Sequence, residues 1–310
     1  MRRCGGGHRR QRGIAMVTAL LISTLAVSAI ASLFWRQQVQ VRMLENQRLH
    51  AQTRWVLRAG LDWSRQVLRD DSERSPELTT LDGWWNSQPA GIHLDRYLDL
   101  DAAEEAAPRA GIASRIIDAQ SRYNLANLAD GGSFNLAEIR VYERLLTQLK
   151  LDPALALRAA RAVADGQQGA PGTKRQLALK RVDELSGVPG YTPQVLSALA
   201  NFVILLPTPA DLNLDTAPPE LLAAVTRLSL DQARQLAERR RQAHFRSMVE
   251  LAATLPDGTV LKDVRVGLRS DYFVVESSIR VERAELDAVS LLHRPRGSEA
   301  ATRLVWTREL

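Results

Sequence analysis

Cysteine is almost absent from this chain of 310 residues, and its one copy, Cys4, lies within the first 13. Once that stretch is gone, no internal disulfide can form and no thiolate remains for catalysis or for zinc. Histidine is scarce too. His8, His50, His93, His244 and His293 form no H-x-x-x-H pair, and none stands beside a nucleophile motif, which argues against metal-dependent or triad hydrolysis. The run Gly166–Gly172 has no Lys-Ser/Thr and no strand before it, so it reads as a loop and not a phosphate cradle. No EF-hand spacing occurs. The sequence predicts no enzyme.

Acid is missing from the first 13 residues, where Arg2, Arg3, Arg9, Arg10 and Arg12 crowd together. They account for most of the net charge of +6, and without them 36 basic residues face 35 acidic ones. The basicity is therefore a sign of topology, positive charge on the cytoplasmic side, and not of nucleic acid. Arg239-Arg240-Arg241 reads as the solvated face of a helix. Leu212 to Leu255 resembles a helix-hairpin-helix, but its turn, Arg227 to Asp231, has none of the glycines that would hold phosphate on backbone N–H groups.

What the chain does have is an uncharged run from Ile14 to Phe34, closed by Trp35 and Arg36. A helix of that length reaches roughly 30 Å, the thickness of a bilayer's hydrocarbon core. Gly13 precedes the apolar run, whereas a secretory signal is cut after its own. Three fates are open: cleavage between Gly13 and Ile14, ordinary signal cleavage after Ala29-Ile30-Ala31, or an uncleaved anchor. The first is favoured. The run exceeds a signal core of 7–15 residues, and the helical pattern continues through the second cut.

From Gln37 to about Arg69 there is no proline, and Gly60 is the one glycine. Val41, Leu44, Ala51, Trp55, Ala59, Trp63 and Val67 recur at helical steps, predicting a stripe that packs on a sheet. With the membrane segment this makes one helix of about 55 residues, on the order of 80 Å long. Asp70 to Pro108 is loop-rich, with an acidic patch of Asp95, Asp99, Asp101, Glu104 and Glu105. Residues 114–118 read as a strand. Helices are predicted at 135–149, 153–166, 192–205, 218–227, 230–242 and 246–253. Asp152, Thr192, Thr216 and Ser229 stand at or near their starts as caps. Strands follow at 272–282, 285–292 and 303–308, the first with Phe273, Val275, Ile279 and Val281 on one face and Glu276, Ser278 and Arg280 on the other. The predicted fold is α+β: a long N-terminal helix on a small antiparallel sheet, with a large all-α insertion. Its parts are a leader (1–13), a transmembrane segment (14–36), the first part of the α+β domain (37–130), the insertion (131–266) and the C-terminal strands (267–310).

A basic leader, then glycine, then a retained hydrophobic helix resembles the start of type IV pilin-like subunits. Four stretches narrow the likeness: Gln11–Leu21, the Arg- and Trp-bearing helix around Arg54–Trp63, Ile117–Leu128 and Leu212–Leu222. In order and spacing they resemble general secretion pathway protein K, the minor pseudopilin family of type II secretion. The resemblance implies an inner-membrane protein with its N-terminus cytoplasmic and its C-terminal domain periplasmic. It implies cleavage at Gly13–Ile14 by prepilin peptidase, with methylation of Ile14, and assembly with minor pseudopilins I and J above the major pseudopilin. Thr18, fifth after the cut, stands where ordinary pilins carry a glutamate, and the family lacks that glutamate at the pseudopilus tip. The family also implies calcium, for which Asp95, Asp99 and Asp101 are the candidates here. Two other readings remain: a membrane-anchored periplasmic binding module, and a type IV pilus minor pilin.

Overall fold

The computed structural model describes residues 9–86, 92–93, 110–167, 178–256, 261, 263–297 and 301–310. Helix α1 runs Arg9–Arg74 without a break, 66 residues or about 100 Å. It exceeds the expected span at both ends, starting upstream of Gly13 and continuing to Arg74. Beyond it lies a five-stranded antiparallel sheet: β1 (Ile92–His93), β2 (Ala110–Asp118), β3 (Tyr272–Val281), β4 (Ala284–His293) and β5 (Arg303–Glu309), side by side in that order. β3 buries Phe273, Val275, Ile279 and Val281 and exposes Glu276, Ser278 and Arg280, as its alternation predicts. β2 starts four residues earlier than expected, because Ala110 to Ala113 find ladder partners in Val281 to Ser278.

The long helix does lie on this sheet, but on a different face from the predicted stripe. The buried residues are Leu49, Thr53, Val56, Leu57, Leu61, Ser64, Val67 and Leu68. They meet Ile112, Ile116, Phe273, Val275, Ile279 and Leu292. Trp55 (68% exposed), Trp63, Val41 and Leu44 point away, and of the predicted stripe Val67 is buried. The reason is closeness. At Gly60 an added Cβ would overlap Ile112 Cδ1, and the Ser64 hydroxyl turns back to donate to Gly60 O at 2.8 Å. Small residues let the backbone approach the sheet, where an indole would hold it off.

Between β2 and β3 the chain builds the helical domain: α2 (Leu136–Gln148), α3 (Leu155–Gln167), α4 (Pro193–Leu199), α5 (Pro219–Thr226), α6 (Leu230–Gln242) and α7 (Met248–Thr254). Its core includes Tyr142, Leu145, Ala159, Leu185, Leu221 and Phe245. Ser229 caps α6 with a reciprocal bond to Gln232, and Thr192 caps α4. Two expectations change here. The helix expected over 192–205 stops at Leu199, since Val203 and Ile204 form a parallel bridge with Tyr123 and Asn124, a role that suits β-branched residues. Residues 119–130, assigned above to the α+β domain, instead send Tyr123, Leu125 and Leu128 into the helical core. The change of domain falls at Asp118.

That residue ties the two parts together. The Asp118 side chain accepts from Thr216 Oγ1 (2.5 Å), Ser270 Oγ (2.7 Å), Asn213 Nδ2 (3.0 Å) and the backbone N–H of Gln120 (2.8 Å). Thr216, predicted as a helix cap, is committed here instead, and α5 starts at Pro219 with no side-chain cap. Burial pushes the Asp118 carboxyl up despite these four donors.

Candidate assembly surface

The surface begins with the membrane segment. From Ala15 to Arg48 the side chains of α1 are exposed, and an 18-residue window reaches a mean hydropathy of 2.2, long and apolar enough to cross a bilayer. Gly13 and Ile14 both fall within the continuous helix. Thr18 Oγ1 donates to Ala15 O at 3.0 Å, as Ser23 and Thr24 do to Leu20 O and Leu21 O at 2.9 Å. These three hydroxyls of the apolar stretch are thus satisfied inside their own helix, at little desolvation cost. A carboxylate at the same position has no such internal solution.

Above the membrane segment the outward face of α1 carries Val41, Leu44, Trp55 and Trp63 among arginines. Arg58 lies 5.5 Å over the Trp55 ring. On the other flank Arg54 meets Glu309 of β5 at 3.2 Å. The sequence identified this second stripe correctly as apolar and wrongly as sheet-facing; among the described residues it stays exposed. The four-residue pair Gly60 and Ser64 is the signal that would have assigned the two faces the other way.

At the upper end of α1 a buried ion pair fixes the helix to the sheet. Arg294 Nη1 donates to Asp71 Oδ2 at 2.9 Å and to Leu68 O at 3.2 Å, while Nη2 donates to Thr79 Oγ1 at 2.8 Å and to Ser270 O at 2.9 Å. Its guanidinium also sits 4.7 Å from the Phe273 ring centre. Burial lifts the Asp71 carboxyl above its usual value even with Arg294 beside it.

Several predicted features fall elsewhere. Asp95, Asp99 and Asp101 lie outside the described residues, and among the described residues no group of three or more His, Cys, Asp or Glu is placed to hold a metal. The turn of the helix-hairpin-helix-like segment has Arg227 itself in the left-handed conformation (φ 62°), doing what glycine would do. Arg240 is no solvated residue. It is buried and donates from both Nη atoms to Leu214 O and Ala217 O, and burial pulls its pKa down to about 10. Arg239 and Arg241, flanking it on α6, are exposed.

These features define a pilin-like fold: one long helix, apolar in its first half, laid over an antiparallel sheet, with a helical domain inserted between strands β2 and β3. Two family models described as type II secretion system protein K match residues 121–208 and 212–269, which together are nearly the whole of that insertion. Type II secretion system protein K of Pseudomonas aeruginosa is 26% identical over 313 aligned residues, covering 93% of this chain and 90% of its own length. Its counterpart in Dickeya chrysanthemi is 25% identical over 359, covering 95% and 97%. A chain in the crystal structure of the GspK-GspI-GspJ complex from enterotoxigenic Escherichia coli has the same fold, with a TM-score of 0.66 at 19% identity, over 86% of this chain and 98% of that one. Over most of its length, then, the chain is similar to type II secretion system protein K.

Proposed function

We propose that this protein caps the pseudopilus of a type II secretion system and helps to start its assembly, promoting export of folded periplasmic proteins across the outer membrane. The observation that carries the tip position is Thr18, whose hydroxyl bonds within its own helix. A subunit with nothing above it receives no N-terminal amine, and a buried glutamate there would be left unpaired at a cost of several kcal/mol. The bulk of the helical domain supports the same position, since it would collide with neighbours in the body of a packed filament.

In this reading α1 anchors the protein in the inner membrane, with the N-terminus cytoplasmic and both folded parts periplasmic. Prepilin peptidase cuts between Gly13 and Ile14, and Ile14 is then methylated. The partners are minor pseudopilins I and J, supported by the complex of the Escherichia coli relative, with the major pseudopilin below; the outward stripe through Trp55 and Trp63 is the exposed apolar surface offered to them. The protein's role is structural, not enzymatic. Calcium is proposed as a stabilising ion on the acidic run containing Asp95, Asp99 and Asp101, with calorimetric titration of calcium into D95N/D99N/D101N as its check.

Two measurements test the assignment. N-terminal sequencing of the membrane-extracted protein should begin at Ile14, and G13L should stay unprocessed. Normal processing of G13L, or a start at Ser32, would refute the anchor. Co-expressed with I and J and extracted in detergent, the full chain should purify as a ternary complex that W55R/W63R weakens at least tenfold. A chain that purifies alone would instead be a separate binding module.

A further inference from the structure

Where the outward stripe of α1 ends, a cavity of about 320 Å³ opens between the helix from Trp63 to Arg74 and the segment from Thr80 to Trp84. Two half-exposed indoles line it, Trp63 at 44% and Trp84 at 53%. Three carboxylates share it. Asp71 is paired with Arg294. Asp70 Oδ1 accepts from the neutral amide of Gln66 at 2.7 Å, and Asp82, whose side chain is 71% exposed, faces His244 Nδ1 at 3.5 Å. From Asp70 to Asp82 the chain carries Asp70, Asp71, Glu73, Glu77 and Asp82 against one base, Arg74.

The walls are fixed. Trp85, next to Trp84, is buried edge-on against Phe273 with ring centres 5.7 Å apart, and Asn86 Nδ2 donates to Leu81 O at 2.7 Å. Gly83 has no room for a side chain, which would meet Trp85 Nε1 and Asp71 Oδ1. One guanidinium is already present, since Arg74 lies 5.9 Å from the Trp84 ring centre.

We propose that this groove receives an arginine or lysine side chain from a partner polypeptide. Indole faces attract cations, and Asp70 and Asp82 supply the opposite charge; among the described residues the hydrogen-bond partner of Asp70 is the neutral Gln66 amide. An acidic or purely apolar insert would leave those carboxylates desolvated and unpaired. Because the walls are set before the ligand arrives, little ordering is lost on binding. The site lies at the end of the Trp55–Trp63 stripe, so a segment running along α1 reaches it. It stands on its own chemistry, whichever subunit provides that segment.

The test uses the full chain in detergent, labelled with 5-fluorotryptophan, with the Trp63 and Trp84 signals assigned through W63F and W84F. N-acetyl-arginine amide and N-acetyl-lysine amide, titrated at constant ionic strength, should shift both signals saturably. The uncharged citrulline analogue should bind at least fivefold more weakly, and so should arginine to D70N/D82N, whose altered side chains are at the surface. W63F, which keeps both acids, should weaken arginine binding while the Trp84 signal still responds. The proposal is overturned if neither signal moves, if the citrulline or glutamate analogue matches arginine, or if D70N/D82N binds arginine unchanged.

Discussion

Replacing Arg294 by methionine should remove more stability than any surface change in this protein. The substitution keeps much of the apolar stem but deletes the donors to Asp71, Leu68 O, Thr79 and Ser270 O. Asp71 is then a buried carboxylate stripped of its hydrogen-bonded counter-ion, with Arg74 acting on it through charge alone, and breaking a buried pair from one side costs about 3–5 kcal/mol. With a urea dependence of about 1–3 kcal/mol per molar, the midpoint should fall by roughly 2 M. The readout is hydrogen exchange of peptides from β3 during a urea titration, which follows the sheet independently of the helical domain. The Asp71 carboxyl is already raised by burial, and loss of Arg294 raises it further. A group whose folded pKa lies above its unfolded one stabilises the fold below the unfolded value and loses that contribution as pH rises through the folded one. R294M should therefore regain stability on acidification, and R294M/D71N should recover most of the loss at neutral pH. A midpoint shift below about 0.5 M, or an R294M/D71N variant no better than R294M, would refute the reasoning.

Three further outcomes are expected. R240A should destabilise the helical domain by about 1–3 kcal/mol, the cost of leaving the Leu214 and Ala217 carbonyls unsatisfied, whereas R239A and R241A should stay within about 0.5 kcal/mol; thermal melts by circular dichroism distinguish them. G60A should be nearly neutral, because better helix propensity offsets a shift of the Ile112 methyl, while G60L should lose about 1–3 kcal/mol by forcing α1 off the sheet, read as faster exchange in β2. D118N should loosen the junction, with exchange rising in peptides around residues 118–124 and 212–218. Since the Asp118 carboxyl is raised from 3.8, its contribution is greatest at low pH, so the deficit of D118N should be largest below about pH 4 and shrink as pH climbs.

The sheet was legible because period-two alternation is strong: Val275 to Val281 declares its two faces residue by residue. The membrane segment was legible because nothing else makes 21 uncharged residues in a row. The stripe of α1 was misassigned because counting apolar residues favours Trp55 and Trp63 over Gly60 and Ser64, and close approach is a property of smallness that hydrophobicity does not record. Arg240 and Thr216 were misread for a related reason. A basic triplet and a pre-proline threonine carry strong local meanings, and here carbonyls and a carboxylate far along the chain override them. The groove at Trp84 left no sequence signal, since its walls join only when the loop after α1 folds back.

The placement of the helical domain has a consequence for how the molecule is made and changed. It leaves β2 after Asp118 and re-enters at β3 beside it, because Asp118 and Phe273 are cross-strand partners. Topologically it is a swollen hairpin turn. A slack tether of about 150 residues would cost roughly 4 kcal/mol more to close than a two-residue turn, but a prefolded body with its two stems adjacent escapes most of that charge. The module can therefore grow, shrink or be exchanged without re-registering a single rung of the ladder beneath it.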